Sequence, residues 1–598
     1  MENIYAKHLA GIREEMREEG IDIYLIPHSD EHNSEYVGDA DHDIAFACGF
    51  TGENTTVVIT KDESRVWADG RYFLQAEHEI EGSGTDLMKM GVDGVPTVNE
   101  YLKSVAFDGA VFAYNGRKVT LSLAREYEKA LKGKGVTIRP DFDLVSRLWA
   151  DRPAKSCQPV WVLEDRFSGV SVDEKISAVR EHMKEEGADG FLLSNLTDIA
   201  WLMNLRGNDI ECTPVFYSYV WITQDVAILY VQLKELDPEV EKYLSDHHII
   251  VKPYNEIYSN LGSFTAKTVA VDPEIVNAEL IEKLGADVTL IEEPNVTERM
   301  KAVKNPVEVE NTKKAHVIDA VAMCKFIYQL KTGVIDVENE DEYSVAEILY
   351  SLREQGEDYI EPSFGTIAAY GPNAAMMHYA PTKEKKSPLH RVGFLLVDSG
   401  GTYKWGTTDI TRTIVLGPIS DHQKRDFTLV LKAAMRLKMA KFPGGTTAQI
   451  LDVLSRGIMW DYGLDYRCGT GHGVGHILSV HEGPNAFRPK INSMSAVFPL
   501  TADVITTDEP GLYYDGEYGI RTENELLCVE DEKTEYGQFY HFENITLVPI
   551  DLDGIDVSML TEDERKELNT YHARVYETIA PKLTANEAKW LKEATKAI

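Results

Sequence analysis

Cysteine is scarce in this chain of 598 residues: six are present, Cys48, Cys157, Cys212, Cys324, Cys468 and Cys528. None forms a CxxC pair, which excludes a disulfide scaffold, a ribbon-type zinc site and a thioredoxin-like redox motif. Thiols scattered this way fit a reducing compartment. Positive charge is also in short supply. Lys and Arg number 61 against 98 Asp and Glu, for a net charge of −37. Such a surface repels phosphate backbones and anionic lipid, so neither nucleic acid nor membrane is expected as a partner. No apolar run reaches the 18 residues of a spanning helix. Met1 to His8 lead into the charged run Arg13 to Glu19 with no apolar core between them, so no secretory signal is expected. A cytoplasmic, multidomain, acidic protein is the expectation.

What is present begins with a repeat. Arg13-Glu14-Glu15-Met16-Arg17-Glu18-Glu19-Gly20 precedes the apolar Ile21 to Ile26, and Arg180-Glu181-His182-Met183-Lys184-Glu185-Glu186-Gly187 precedes Ala188 to Leu193. Each reads as a charged amphipathic helix, a glycine stop and a strand. The echo continues through Ile44-Ala45-Phe46 and Ile199-Ala200-Trp201 into β-rich sequence such as Thr55 to Thr60 and Val226 to Val231. Two related α/β domains in tandem follow from this. The polar segment Asp151-Arg152-Pro153-Ala154-Lys155 marks the first boundary and Lys304-Asn305-Pro306 the second. The domains are expected at 1–155, 156–303 and 304–598. Pro306 suits a helix start, and Val307, Val317, Ile318, Val321, Met323, Cys324 and Ile327 give the segment to Leu330 a helical period. From about residue 360 to 550, Gly, Pro, Asp and Thr punctuate short apolar runs, a pattern of strands and hairpins. A charged helical tail follows Leu560.

The residues able to do chemistry lie between 378 and 523. Asp398 ends the apolar run Phe394 to Val397, Gly400-Gly401 signals a turn, and Asp409 follows in Thr407-Thr408-Asp409-Ile410-Thr411-Arg412-Thr413. A strand, a turn and a strand bring the two carboxylates to one end of a hairpin. Gly469-Thr470-Gly471-His472-Gly473-Val474-Gly475-His476 is too rich in glycine for a helix, so His472 is presented from a loop or strand. Asp508-Glu509-Pro510-Gly511 and Gly519-Ile520-Arg521-Thr522-Glu523-Asn524 supply two further carboxylates. Taken singly, each has a dull reading as a turn, surface or strand charge. If the four carboxylates converge, each pair 4 Å apart repels by about 4 kcal/mol at an effective dielectric near 20. Divalent cations would relieve that repulsion. Four carboxylates and one imidazole make an oxygen-rich set suited to Mn²⁺, with Zn²⁺, Co²⁺ or Fe²⁺ as alternatives. Two such ions can activate a water and polarise a carbonyl for amide hydrolysis.

This ordered set resembles the Xaa-Pro aminopeptidases (aminopeptidase P) of the pita-bread metallopeptidases, a group that also holds methionine aminopeptidases and prolidases. Asn373 to Pro381, with His378-Tyr379-Ala380-Pro381, and His481-Glu482-Gly483-Pro484 resemble the segments that flank the metal ligands in that family. Ala68-Asp69-Gly70-Arg71-Tyr72-Phe73-Leu74-Gln75-Ala76 and Asn569-Thr570-Tyr571-His572 resemble its long, three-domain form. The resemblance implies two creatinase-like α/β domains and a C-terminal pita-bread (α+β) catalytic domain with a helical extension. It also implies two divalent ions, a homodimer, and release of the N-terminal residue from short Xaa-Pro peptides by a hydroxide that bridges the ions. Asp398 and Asp409 would hold one ion, with Asp409 bridging. His472, Glu509 and Glu523 would complete the other, with Glu523 bridging. Glu509 would shuttle the proton, His378 and His481 would line the substrate pocket, and Arg521 would orient a ligand carboxylate. Cys468 departs from the pattern, because relatives often carry a histidine there; a packed thiol is the expectation. A prolidase cutting only dipeptides and a non-catalytic scaffold of the same fold are the alternatives. The double N-terminal region speaks against a methionine aminopeptidase, and the complete ligand set speaks against a scaffold.

Overall fold

The computed structural model describes residues 3–489 and 498–598. Met1 and Glu2, read above as part of a start without a signal, lie outside the described residues. The chain divides into two compact units, one of residues 1–163 and 171–297, the other of 164–170 and 298–598. Among the described residues no helix is long and apolar enough to cross a membrane.

The first unit contains two six-stranded sheets of the same design. One runs, edge to edge, 86–89, 64–68, 56–60, 23–27, 111–114 and 137–139; the other runs 249–253, 227–231, 218–222, 190–193, 268–271 and 289–292. Numbered along the chain, both have the order fourth, third, second, first, fifth, sixth. In both, the first three strands pair antiparallel and the remaining pairs are parallel. The helices α1 (Ile4–Glu19) and α2 (Val172–Glu186) lead into the two first strands, β1 (Ile23–Pro27) and β2 (Gly190–Leu193). Each helix ends on the expected glycine. Gly20 (φ 68°) and Gly187 (φ 74°) adopt the left-handed conformation, and the next amide, Ile21 or Ala188, bonds back to Met16 or Met183. That is the Schellman closure, for which glycine carries no Cβ penalty. The sequence echo slips by one strand later on: Thr56–Thr60 is the second strand of its sheet, whereas Ala227–Val231 is the third.

In the second unit the 27-residue helix α3 (Pro306–Thr332) is capped by Asn305, with Glu308 completing a capping box and Pro306 in the first turn. Its buried face differs from the one read in the sequence. Met323, Cys324 and Ile327 are buried, but Val307 is exposed, and Thr312, His316 and Asp319 lie in the interior. Behind α3, a three-stranded antiparallel sheet contains β3 (Ile367–Tyr370), β4 (Phe394–Ser399) and β5 (Ile410–Val415). The helices α4 (Asp421–Lys438) and α5 (Ala448–Trp460) follow. A six-stranded antiparallel sheet then includes β6 (Gly471–Gly473), β7 (Glu482–Phe487), β8 (Ile505–Asp508), β10 (Asn524–Thr534) and β11 (Gly537–Asn544), and β9 (Tyr518–Arg521) pairs in a separate ribbon. The tail is helical, as read, with α6 at Glu562–Ile579. One apolar core joins α3, β4, β5, α4 and α6 through side chains such as Phe326, Val397, Leu429 and Val575.

Candidate metal centre

β4 and β5 are antiparallel neighbours, with Asp398 opposite Thr411 and Ser399 opposite Ile410. Asp398 and Asp409 therefore stand at the same end of the pair, as expected. The chain reverses at Lys404-Trp405 and not at Gly400-Gly401, because Gly401–Tyr403 pairs with Gly406–Thr407 as a second short hairpin. Gly400 has a different task. A Cβ there would lie 1.8 Å from the Thr408 carbonyl oxygen and 2.2 Å from Ser363 Oγ. Only glycine lets these backbones approach so closely.

His472 sits on β6, opposite Ala486 of β7. Gly471 is required beside it, since a Cβ would meet the Thr507 carbonyl oxygen at 2.1 Å. Glu509 follows β8, its amide held by the Thr470 carbonyl at 2.8 Å. Glu523 lies between β9 and β10, where the chain passes from one sheet to the other, and is not inside a strand. β5 stitches that junction. The Glu523 amide donates to the Thr411 carbonyl (3.2 Å), and Thr411 Oγ1 donates to Glu523 Oε2 (2.8 Å).

The folding brings the expected residues together. His472 Nε2 is 3.5 Å from Asp409 Oδ2 and 3.3 Å from Glu509 Oε1. Asp409, His472 and Glu523 each bring one ligand atom within 4.8 Å of the others. Asp398 joins through Arg521, whose Nη2 donates to Asp398 Oδ2 at 2.5 Å. The same guanidinium reaches Thr411 Oγ1 (3.1 Å), the Tyr513 hydroxyl (2.7 Å) and the Met377 carbonyl (3.3 Å). That last bond ties down the residue before His378. The His481 ring stands edge-on to His472 with centroids 4.3 Å apart. Glu342, absent from the sequence reading, shapes the loop that carries His378. Fully buried, its carboxylate accepts from the amides of Tyr370 and Ser387 (2.7 Å each), the Tyr379 hydroxyl (2.7 Å) and Asn373 Nδ2 (3.0 Å).

The electrostatics point to cations. Asp398, Asp409 and Glu523 are buried, and desolvation pushes their carboxyl pKa values up; neighbouring carboxylates add to the rise at Asp409 and Glu523, while Arg521 works against it at Asp398. Glu509 is drawn the other way: desolvation works to raise it, but the hydrogen bond and charge of His472 hold it below the ordinary range. Asp398 Oδ1 and Glu523 Oε1 are buried without a hydrogen-bond partner. His472 Nδ1 faces the Gly473 carbonyl at 2.8 Å; with its proton donated there, Nε2 is left as a ligand atom. An oxygen-rich donor set with unused buried lone pairs and excess negative charge fits divalent metal. Cys468 packs at the edge of the apolar core, its thiol pushed up to about 11 by burial and the Glu509 charge, which keeps it protonated at neutral pH.

Comparison with known proteins agrees with this geometry. Residues 8–143 and 151–308 match the Creatinase/Prolidase N-terminal domain, 310–530 match Metallopeptidase family M24, and 538–598 match the C-terminal region of peptidase M24. A probable Xaa-Pro aminopeptidase P of Tuber melanosporum is 36% identical over 617 residues, covering 99% of this chain and 98% of the relative. Aminopeptidase P1 of Arabidopsis thaliana is 36% identical over 632 residues, covering 97% of each. The crystal structure of an X-prolyl aminopeptidase from Caenorhabditis elegans, described as a cytosolic enzyme with a di-nuclear active site, is 32% identical and superposes with a TM-score of 0.95 over 99% of this chain and 100% of that one. A Xaa-Pro dipeptidase from Bacillus anthracis, 24% identical with a TM-score of 0.51, covers 64% of this chain and 99% of its own, and shares the fold alone. With its ligand-type residues in sequence order, its double N-terminal design and this span of similarity, the chain belongs to metallopeptidase family M24.

Proposed function

We propose that this chain is a metal-dependent aminopeptidase that releases the N-terminal residue from short peptides with proline in second position. The observation that carries the reading is the meeting of Asp409, His472 and Glu523, with Glu509 3.3 Å from His472 and Asp398 held by Arg521, in which Asp398 Oδ1 and Glu523 Oε1 are buried with no hydrogen-bond partner. Asp398 and Asp409 would hold one divalent ion, and His472, Glu509 and Glu523 would complete the site of the other. Mn²⁺ suits this donor set best. When bound, the ions supply Lewis acidity toward the scissile carbonyl and the attacking water.

The chain's own groups do the rest. Glu509 accepts a proton from the water and returns it to the leaving prolyl nitrogen. His378 and His481 donate to the oxygen on which charge develops. Arg521 fixes Asp398 from behind. Because the bond before proline is a tertiary amide, the enzyme must accept the ring and supply that proton without help from an N–H.

Residues 1–155 and 156–303 act as the two creatinase-like domains and 304–598 as the catalytic domain; the identical strand order of the two N-terminal sheets supports the first pair. The working form is a homodimer. Ile450, Val453 and Trp460 form an exposed apolar stripe along α5, 47% exposed or more, which a second copy would cover. Six cysteines outside any disulfide and the cytosolic relative favour the cytoplasm.

The test is cleavage of Arg-Pro-Pro, Gly-Pro and Met-Ala-Ser by the purified chain, as isolated and after chelation and Mn²⁺ return. Free arginine from the tripeptide, abolished by chelator and restored by Mn²⁺, is expected. Cleavage of Gly-Pro alone would move the assignment to a dipeptidase, and no cleavage by protein carrying two ions would overturn the substrate.

A further inference from the structure

Beyond Glu308, which closes the helix cap, the buried face of α3 is polar at three positions spaced four and three residues apart, Thr312, His316 and Asp319. Such spacing places them in one row along the helix. Each grips a different part of the metal centre from behind. Thr312 Oγ1 is 3.1 Å from His476 Nδ1, in the loop that follows His472. Asp319 takes two bonds from Arg353, at 2.7 and 3.1 Å, and Arg353 reaches the carbonyl of Ser399, the residue after Asp398, at 3.3 Å. His316 Nε2 lies 3.0 Å from Glu525 Oε2, and Glu525 Oε1 accepts the amide of Asp409 at 2.7 Å.

The His316–Glu525 contact is the unusual one. Both residues are fully enclosed, with Glu525 0% and His316 3% exposed. The two atoms face each other at 3.0 Å, and neither Nε2 nor Oε2 has a hydrogen-bond partner elsewhere. A neutral amide could accept the Asp409 N–H as well as a carboxylate. Placing a carboxylate there adds repulsion to a cluster already crowded with negative charge. The arrangement makes sense if the charge is wanted at Asp409 and the imidazole steadies it.

We infer that His316 is a positioning residue for the metal centre: through Glu525 it fixes the backbone of Asp409 and so the orientation of the shared ligand. This rests on the metallopeptidase reading above. The carboxylate behind Asp409 then plays the part that outer partners of metal ligands play elsewhere, where their loss weakens metal binding about 10- to 100-fold.

The experiment is a Mn²⁺ titration of chelator-stripped protein by calorimetry, paired with the visible absorption spectrum of the Co²⁺-loaded form, for the unaltered chain, His316→Leu and His316→Gln. The unaltered chain is expected to bind two ions. His316→Leu is expected to melt as the parent does, to bind one ion at least tenfold more weakly and to show a changed Co²⁺ spectrum. His316→Gln, which restores a donor of similar reach, should recover most of the affinity. Two ions bound by the parent together with unaltered affinity and spectrum in folded His316→Leu would overturn the inference alone. No binding by the parent would overturn the metal-centre reading and this inference with it. Should His316→Leu fail to fold, Glu525→Gln decides: it keeps the acceptor for the Asp409 amide and removes the charge, so the same loss is expected and unchanged binding overturns the proposal.

Discussion

Stripping the metal tests the electrostatic reasoning most directly, and the pH at which it is done fixes the sign. In the metal-free chain the carboxyls of Asp398, Asp409 and Glu523 hold their protons to higher pH than free side chains do, because of burial and mutual repulsion. Unfolded, these groups ionise near pH 4. Between that value and the raised ones the folded state binds more protons than the unfolded state, so the stability these groups give the metal-free protein falls as pH rises. Cations bind the ionised ligands, so metal affinity rises over the same window and binding releases protons. Both trends widen the gap between loaded and stripped protein at higher pH. At metal concentrations a hundredfold above Kd, each ion adds about 2.7 kcal/mol, or about 5 kcal/mol for two. For the catalytic unit of about 300 residues the unfolding entropy is about 0.6 kcal/mol per kelvin. Chelation at pH 8 should therefore lower the melting temperature of that unit by about 8 °C. At pH 6 the drop should be smaller. Differential scanning calorimetry with chelator, then with Mn²⁺ restored, reads both values, and a pH indicator reads the released protons. An unchanged transition at pH 8, or a larger drop at pH 6, would refute the account.

Three single substitutions and one double substitution probe the parts separately. Glu509→Gln keeps the shape and removes the proton acceptor, so kcat should fall about 10²- to 10⁴-fold in a folded protein; near-native turnover would remove Glu509 from that role. Asp409→Ala should reduce the ions bound per chain along with activity, as measured by metal analysis after gel filtration, and an unaltered count would mean that Asp409 is not shared. Adding a methyl group in Gly400→Ala forces the Thr408 carbonyl and Ser363 aside and should cost about 1–3 kcal/mol, with weaker metal binding; an unchanged melting curve would contradict the close approach. Charging the α5 stripe with Val453→Arg and Trp460→Arg should give a monomer by light scattering, and a persistent dimer would place the interface elsewhere.

The parts of the fold legible in the sequence are those set by local rules. A glycine after a charged helix reports a left-handed cap, and Gly20 and Gly187 adopt it. Pro306 reports a first helical turn, and it stands there. The order of strands in the two N-terminal sheets depends on pairing between distant segments, and here the local echo misled: it set the second strand of one sheet beside the third of the other. The same limit explains Val307, whose place in an apolar period suited the core while its position in the first turn of α3 left it in solvent. Gly400-Gly401 carried a turn signal of composition, but the tight space beside Thr408 is what demands the glycine.

The candidate site divides along a similar line. Its candidate ligands stood out because an ordered set of Asp, His and Glu in glycine-rich surroundings has little structural reason to exist unless the side chains converge. Arg521 could be suspected because it stands two residues before Glu523. Glu342, His316 and Glu525 offered no such signal, since an isolated Glu or His in a sequence is most often a solvated charge. Burial changes their meaning. A carboxylate enclosed with four donors, as Glu342 is, or facing one imidazole, as Glu525 is, can persist only if the fold supplies its counterpart. Those counterparts come from segments remote in the chain: Glu342 meets the His378 loop, and His316 of α3 faces Glu525 of β10. The candidate ligands are thus legible in their chemistry and order, while the residues that hold them become visible only when packing shows which charges have been taken out of water. Outer partners of a metal centre act by restricting its ligands, so exchanging His316 and exchanging Glu523 should separate in experiment: the first shifts affinity and spectrum while the ions still bind, and the second removes a ligand and with it an ion.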